Sequence, residues 1–142
     1  MPAVYEKMGI RFLYPDNWIL DEDEAVHGNN SVTVFSPQGA FWSIAVHAKS
    51  VDPTKLATTA LKALQAEYKD SEAEPASEQI GEHEIRGYDL NFFCLELTNT
   101  AIIRAFRTAA ASCLILCQAE DREYAQLAAV FRAITTSLLA ES

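Results

Sequence analysis

An α+β fold built on a mostly antiparallel sheet follows from three features of this sequence. Stretches of period-two alternation are separated by short turn signals, the period changes to a helical one after Asp52, and a second helical stretch closes the chain after Asp121. Strands come in two blocks, each followed by one helix. That order predicts a sheet of about six to seven strands with two main helices, in one domain spanning residues 1–142.

Taken along the chain, Ile10 to Tyr14 alternates and stops at Pro15-Asp16-Asn17. Trp18-Ile19-Leu20 restarts a short strand that runs into the acidic stretch Asp21 to Glu24. Gly28-Asn29-Asn30 is a turn signal, Ser31 to Phe35 alternates, and Ser36-Pro37-Gln38-Gly39 turns the chain again. Phe41 to Lys49 is a longer strand with Trp42, Ile44, Val46 and Ala48 on one face and Phe41, Ser43, Ala45 and His47 on the other. These four strands read as a meander. Asp52 before Pro53 pairs an N-cap with proline at the first helical position, and Leu56, Ala60, Leu61, Leu64 and Tyr68 recur at helical spacing, so the helix ends near Asp70.

The polar segment Ser71 to Gln79, with Pro75 inside it, reads as a loop or weak edge strand. Gly81 turns the chain into Glu82 to Arg86. Tyr88 to Leu97 carries large side chains on both faces, Thr98-Asn99 marks a turn, and Ala101 to Thr108 is a further strand. Ser112 to Ala119 is almost wholly apolar, as a central strand covered on both sides should be. In the last helix Tyr124, Leu127, Ala128, Phe131, Thr135 and Leu138 form one stripe, which turns Phe131 toward the sheet.

Composition narrows the function. The chain of 142 residues is 49% hydrophobic and 22% charged, with a net charge of −9. Such a surface repels phosphates, which argues against nucleic acid and anionic lipid, and leaves a basic protein partner open. No segment approaches the roughly 18 consecutive apolar residues of a membrane-spanning helix. Met1 to Lys7 has no apolar signal core, so a cytoplasmic location is expected. Cys94, Cys113 and Cys117 sit in apolar runs without metal or disulfide spacing. Cys113 and Cys117 would lie about 13 Å apart on one strand face, too far to bridge, and all three cysteines are expected to be buried free thiols.

His27, His47 and His83 show no ligand spacing, and Asp21 to Glu24 lacks the alternating oxygens and central glycine of a calcium loop. No nucleophile elbow, phosphate loop or dinucleotide turn occurs, so neither a catalytic residue nor a cofactor is expected. Arg86, Arg104, Arg107, Arg122 and Arg132 fall in the C-terminal half. Converging, they would hold an acidic ligand; pairing within the chain is the simpler expectation.

The string Gly9-Ile10-Arg11-Phe12-Leu13-Tyr14-Pro15-Asp16-Asn17-Trp18 resembles the opening of the PsbP-like superfamily: an aromatic strand, Tyr-Pro, a short polar turn, then Trp. The closing helix adds Phe131-Arg132-Ala133-Ile134-Thr135-Thr136-Ser137, similar to the Phe-x-x-Ile-x-x-Ser stretch of that superfamily. The resemblance covers nearly the whole chain. It implies an α/β/α sandwich around an antiparallel sheet and a non-enzymatic role. Members include an extrinsic photosystem II subunit and a nuclear-transport factor that binds the GTPase Ran. No functional residue carries over.

The function expected is therefore a non-catalytic protein-binding or scaffold domain. Its partner surface is placed on the mixed face of the strand Phe41 to Lys49, at Phe41 and His47, with Asp21, Glu22, Asp23 and Glu24 as a charged rim. Two alternatives stand beside it. One is a secretion-type acidic chaperone, a class that usually opens with a helix where this chain opens with strands. The other is a small-ligand protein or enzyme with a pocket between sheet and helix, lined by Phe41, Tyr88 and Phe93.

Overall fold

Alternation and turn chemistry produce nine strands and two helices in a computed structural model that describes residues 2–22 and 30–140. The order is β1 (Ala3–Lys7), β2 (Ile10–Tyr14), β3 (Ile19–Asp21), β4 (Ser31–Phe35), β5 (Phe41–Ala48), α1 (Pro53–Glu67), β6 (Glu72–Ile80), β7 (His83–Cys94), β8 (Leu97–Arg107), β9 (Ala111–Glu120) and α2 (Asp121–Ala140). Seven strands form one antiparallel sheet in the order β3-β4-β5-β9-β8-β7-β6, and β1-β2 form a separate hairpin. The apolar run of β9 is central, and its two cysteines Cys113 and Cys117 are buried free thiols, whereas Cys94, expected to be buried as well, is free but only half-buried because it ends β7 at the hairpin tip. The α+β class and the mostly antiparallel sheet are as the sequence predicts.

Three elements differ in detail, and one with two open readings is decided. Ala3–Lys7 is a strand, and it pairs β2 into a hairpin that leaves the main sheet, so the expected meander is only β3-β4-β5. Ser71 to Gln79 resolves into the edge strand β6, whose Pro75 blunts further pairing at a sheet edge. Gly87 does not break the chain, because β7 runs unbroken from His83 to Cys94. A Cβ at Gly87 would lie 1.9 Å from the Ile103 carbonyl oxygen, so only glycine permits this approach to β8. Finally, the chain turns at Leu95-Glu96, and Thr98 and Asn99 lie within β8. The expected turn at Gly28-Asn29 lies outside the described residues.

Among the described residues, the two faces of the sheet are covered unequally. One face, carrying Val32, Val34, Trp42, Ile44, Cys113, Ile115 and Phe106, packs on the β1-β2 hairpin and α2. Trp42 ties the sheet to both the hairpin and α2: its ring lies 4.7 Å from that of Phe12 on β2, and its indole Nε1 donates to Thr135 Oγ1 on α2 at 3.0 Å. Leu13 N donates to Ser137 Oγ at 2.9 Å, which ties the hairpin to the helix. Phe131 meets Trp18 edge-on at 6.0 Å.

On the other face α1 packs through Ala57 and Leu64, with Ala60, Leu61 and Tyr68, on Leu90, Phe92, Ala101, Ile103 and Ala105 of β7 and β8. Asp52 accepts from Thr54 N at 2.9 Å and caps this helix as its sequence predicts. Helix α1 lies over β7, β8 and β9, and β3, β4 and β5 form the other half of that face.

Candidate functional site

Register shows which residues share the half of the face beyond α1. Ile19 pairs Phe35, Phe35 pairs Phe41, and Phe41 pairs Gln118, so these four side chains form one row across β3, β4, β5 and β9. Ile19 is 67% exposed, while Phe35 and Phe41 are half-buried and pack ring to ring at 5.9 Å. The next row is Asp21, Thr33, Ser43 and Leu116. An apolar strip therefore lies beside a polar one, where a packed face would be apolar throughout. Tyr68, at the end of α1, bounds the strip. It stacks on Phe92 at 4.0 Å, and burial pushes its hydroxyl pKa up against a hydrogen bond from Gln118 that pulls it down.

Of the residues expected to form the partner surface, Phe41 and Asp21 share this face. His47 is exposed but stands six residues along β5 from Phe41, about 20 Å away. There it lines a cleft of about 840 Å³ between the β1-β2 turn and the β8-β9 turn. Glu22 forms an ion pair with Lys7 at 3.0 Å, on the hairpin side. Asp23 and Glu24 lie outside the described residues. The pocket expected from Phe41, Tyr88 and Phe93 does not assemble. Alternation puts Phe41 and Tyr88 on the α1 face and Phe93 on the opposite one, and Phe41 and Tyr88 lie on strands separated by β9 and β8.

Tyr88 does line a cavity of about 570 Å³ at the start of α1, beside Arg86 and Arg107. Both arginines are committed within the chain, Arg86 to Glu84 and Arg107 to the carbonyls of Lys49 and Val51 at 2.9 and 3.1 Å. Under α2 a smaller cavity of about 260 Å³ holds the most buried charge among the described residues. The Arg104 side chain is 7% exposed, and its Nε donates to Glu78 Oε2 at 2.7 Å. Its Nη1 donates to Ile103 O at 2.9 Å and lies 2.8 Å from Asp89 Oδ1, an ion pair without hydrogen-bond alignment. Arg132 closes on Glu78 Oε1 at 2.7 Å. Burial opposes the Arg104 charge, but Glu78 and Asp89 more than offset it and its pKa is raised. The converging arginines thus clamp edge strand β6 to the sheet and to α2. Among the described residues, no group of His, Cys, Asp and Glu is placed to hold a metal ion.

The β7-β8 hairpin carries a second feature, which the sequence reading missed. Phe93, Leu95 and Leu97 are 70%, 90% and 41% exposed. Leu95 and Glu96 form its two-residue loop at φ 52° and 67°. Both are left-handed, where Asn-Gly is the favoured pair and an ordinary L-residue costs about 1–2 kcal/mol. The available signal was large apolar side chains on both faces at the end of a strand.

No protein-family model matches the chain, and no curated protein matches it in sequence. Solved structures do. The chain is similar to PsbP (CyanoP) of the cyanobacterium Synechocystis sp. PCC 6803, with TM-score 0.65 and 12% identity over 96% of this chain and 90% of that one. It is similar to the Ran-binding protein Mog1p of Saccharomyces cerevisiae, with TM-score 0.57 and 12% identity over 99% and 92%. It is also similar to PA94 of Pseudomonas aeruginosa, a protein of unknown function, with TM-score 0.52 and 12% identity over 96% and 95%. At these identities the likeness concerns architecture alone. With its seven-stranded antiparallel sheet between one helix and a helix-plus-hairpin layer, the chain has the PsbP-like fold.

Proposed function

We propose that the chain is a non-catalytic protein-binding domain that docks a partner on the open half of its sheet, around Phe41. One observation carries this reading: the row Ile19, Phe35 and Phe41, apolar and partly exposed, lies where α1 does not reach. Burying such a row against a partner removes apolar area from water and supplies an anchor of the aromatic kind that dominates interfaces. Asp21 on the neighbouring row and the net charge of −9 favour a partner with basic side chains beside its apolar contact. The Ran-binding neighbour uses the same architecture, which supports a binding role by analogy of fold. A small-ligand role is weaker, because the arginines beside the Tyr88 cavity are held by Glu84 and by main-chain carbonyls.

The test compares the proteins retained from the native cell by the wild type and by an Ile19→Asp, Phe41→Ala double variant. Ile19 is on the surface and Phe41 half-buried, so circular dichroism should report an intact fold. A specific protein held by the wild type and lost from the variant is expected. Equal retention by both would remove the open face as the docking surface.

A further inference from the structure

We propose that the β7-β8 hairpin tip is an insertion element, seating Phe93, Leu95 and Leu97 in an apolar socket of a partner protein whose rim is basic. This goes beyond the face around Phe41 and rests on separate observations. The first is direction. Cys94 pairs Leu97, and Cys94 packs toward the α1 cluster, so Leu97 lies on the α1 face. Phe93 lies on the opposite face and Leu95 sits in the loop. One flat surface cannot cover side chains aimed three ways around a narrow hairpin; a concave site that surrounds the tip can.

The second is backbone geometry. Leu95 and Glu96 occupy left-handed positions that Asn-Gly would hold without strain. The loop thus departs from the locally favoured sequence at the place where an apolar side chain is most exposed, and such departures cluster at functional sites. The third is charge. Glu96 stands in the loop, Glu120 and Asp121 end β9 and begin α2 at the same end of the sheet, Asp70 lies between α1 and β6 there, and Glu72 opens β6. The nearby cations are Arg122, which pairs with Glu120 at 2.9 Å and offsets it, and Lys69, so the surplus of negative charge comes from Glu96, Asp70, Glu72 and Asp121. An acidic collar around an apolar point fits a basic rim around an apolar hollow. It disfavours an anionic bilayer, and it disfavours a second copy of this chain, which carries the same net charge of −9.

The experiment places photo-reactive benzoylphenylalanine at position 95 of the full chain in its native cell, with the same group at the exposed position 62 on α1 as control. Mass spectrometry identifies the adduct and its attachment point. The purified adduct partner is then titrated with the wild type and with a Leu95→Asn, Glu96→Gly double variant, which gives the loop its preferred residues. The proposal expects one protein specific to position 95, attached at an apolar segment flanked by Lys or Arg. It expects the variant to bind roughly tenfold more weakly or worse, the scale of one lost leucine anchor, while unfolding at a higher temperature than the wild type. Any of four results overturns it: no adduct above the control, unchanged affinity, flotation on phosphatidylcholine vesicles that the variant abolishes, or a doubled solution mass that the variant restores to monomer. If binding falls with Ile19→Asp and Phe41→Ala but not with the loop variant, the open face stands and the insertion element does not. The reverse result reverses that conclusion.

Discussion

Phe131→Ala is the sharpest test of how α2 holds the fold. Phe131 is 5% exposed, meets Trp18 edge-on at 6.0 Å and lies 6.2 Å from the Tyr124 ring. Truncating a buried phenylalanine costs about 3–5 kcal/mol, the sum of lost transfer energy and the cavity left behind. Here the ring also lines the existing cavity of about 260 Å³, so part of its surface has no packing to lose. That places the cost near the lower end, about 3 kcal/mol, a large share of a typical total of about 5–15 kcal/mol. For a chain of this length the melting midpoint should fall by roughly 6–12 °C. Urea unfolding followed by tryptophan fluorescence suits the measurement, since Trp18 touches the deleted ring. The midpoint should drop while the slope is unchanged, because the area exposed on unfolding scarcely alters. A midpoint shift equivalent to less than about 1 kcal/mol would mean that α2 is held mainly by Ile134, Leu138 and Leu139, and that the assignment of Phe131 as its anchor is wrong.

Gly87→Ala should destabilise by about 3 kcal/mol or more, because the new methyl would meet the Ile103 carbonyl oxygen at 1.9 Å and neither backbone can yield. A thermal midpoint within about 2 °C of the wild type, under 1 kcal/mol, would contradict that geometry. Burial raises the Cys113 thiol from 9.0 to about 11, so its neutral form is favoured in the folded state. The unfolded chain then loses this proton first. Its contribution is intact below about pH 9 and is lost as pH rises toward 11. A Cys113→Ala variant should lose stability less steeply than the wild type across that window, and parallel stability curves would refute the assignment.

What was legible in the sequence follows from which signals are local. Both helices carry their start signals in the chain itself, Asp52-Pro53 for α1 and Asp121 for α2, and both form there. The uninterrupted apolar run of β9 predicts a central strand and is one. The alternation Phe41, Ser43, Ala45, His47 predicts a face that is neither core nor fully solvated, and none of the four is classed with the buried core. What failed depends on distant partners. Nothing within Ile10 to Tyr14 says that β2 pairs backward to β1 and not forward to β3. Of the two readings of Ser71 to Gln79 the edge strand is the right one, but what decides it is again distant: pairing on one side and the clamp of Glu78 by Arg104 and Arg132 hold β6, not burial of an apolar face. The turn at Leu95-Glu96 was invisible because neither residue is a turn former, while the nearby Asn99 is.

The unequal covering of the sheet bears on both proposed contacts. A helix alone spans only some of a seven-stranded sheet, and on one face the β1-β2 hairpin completes what α2 cannot reach. On the other face α1 stops over β9, and the row Ile19, Phe35, Phe41 lies beyond it. The register fixes how far this row stands from the hairpin tip. The Cys94-Leu97 pair lies four residues beyond the Phe41 row, roughly 13 Å, and β7-β8 is two to three strands from β5, roughly 10–14 Å. The two features are thus about 20 Å apart at one end of the sheet. A standard interface of roughly 800 Å² per partner is about 30 Å across. One partner could therefore take the tip in a socket and lay an adjoining surface on the open row, approaching the sheet at its end. Two such separated contacts share no side chains, so their effects on affinity should add, and the acidic residues collected at that end would act on the rate of encounter for both at once.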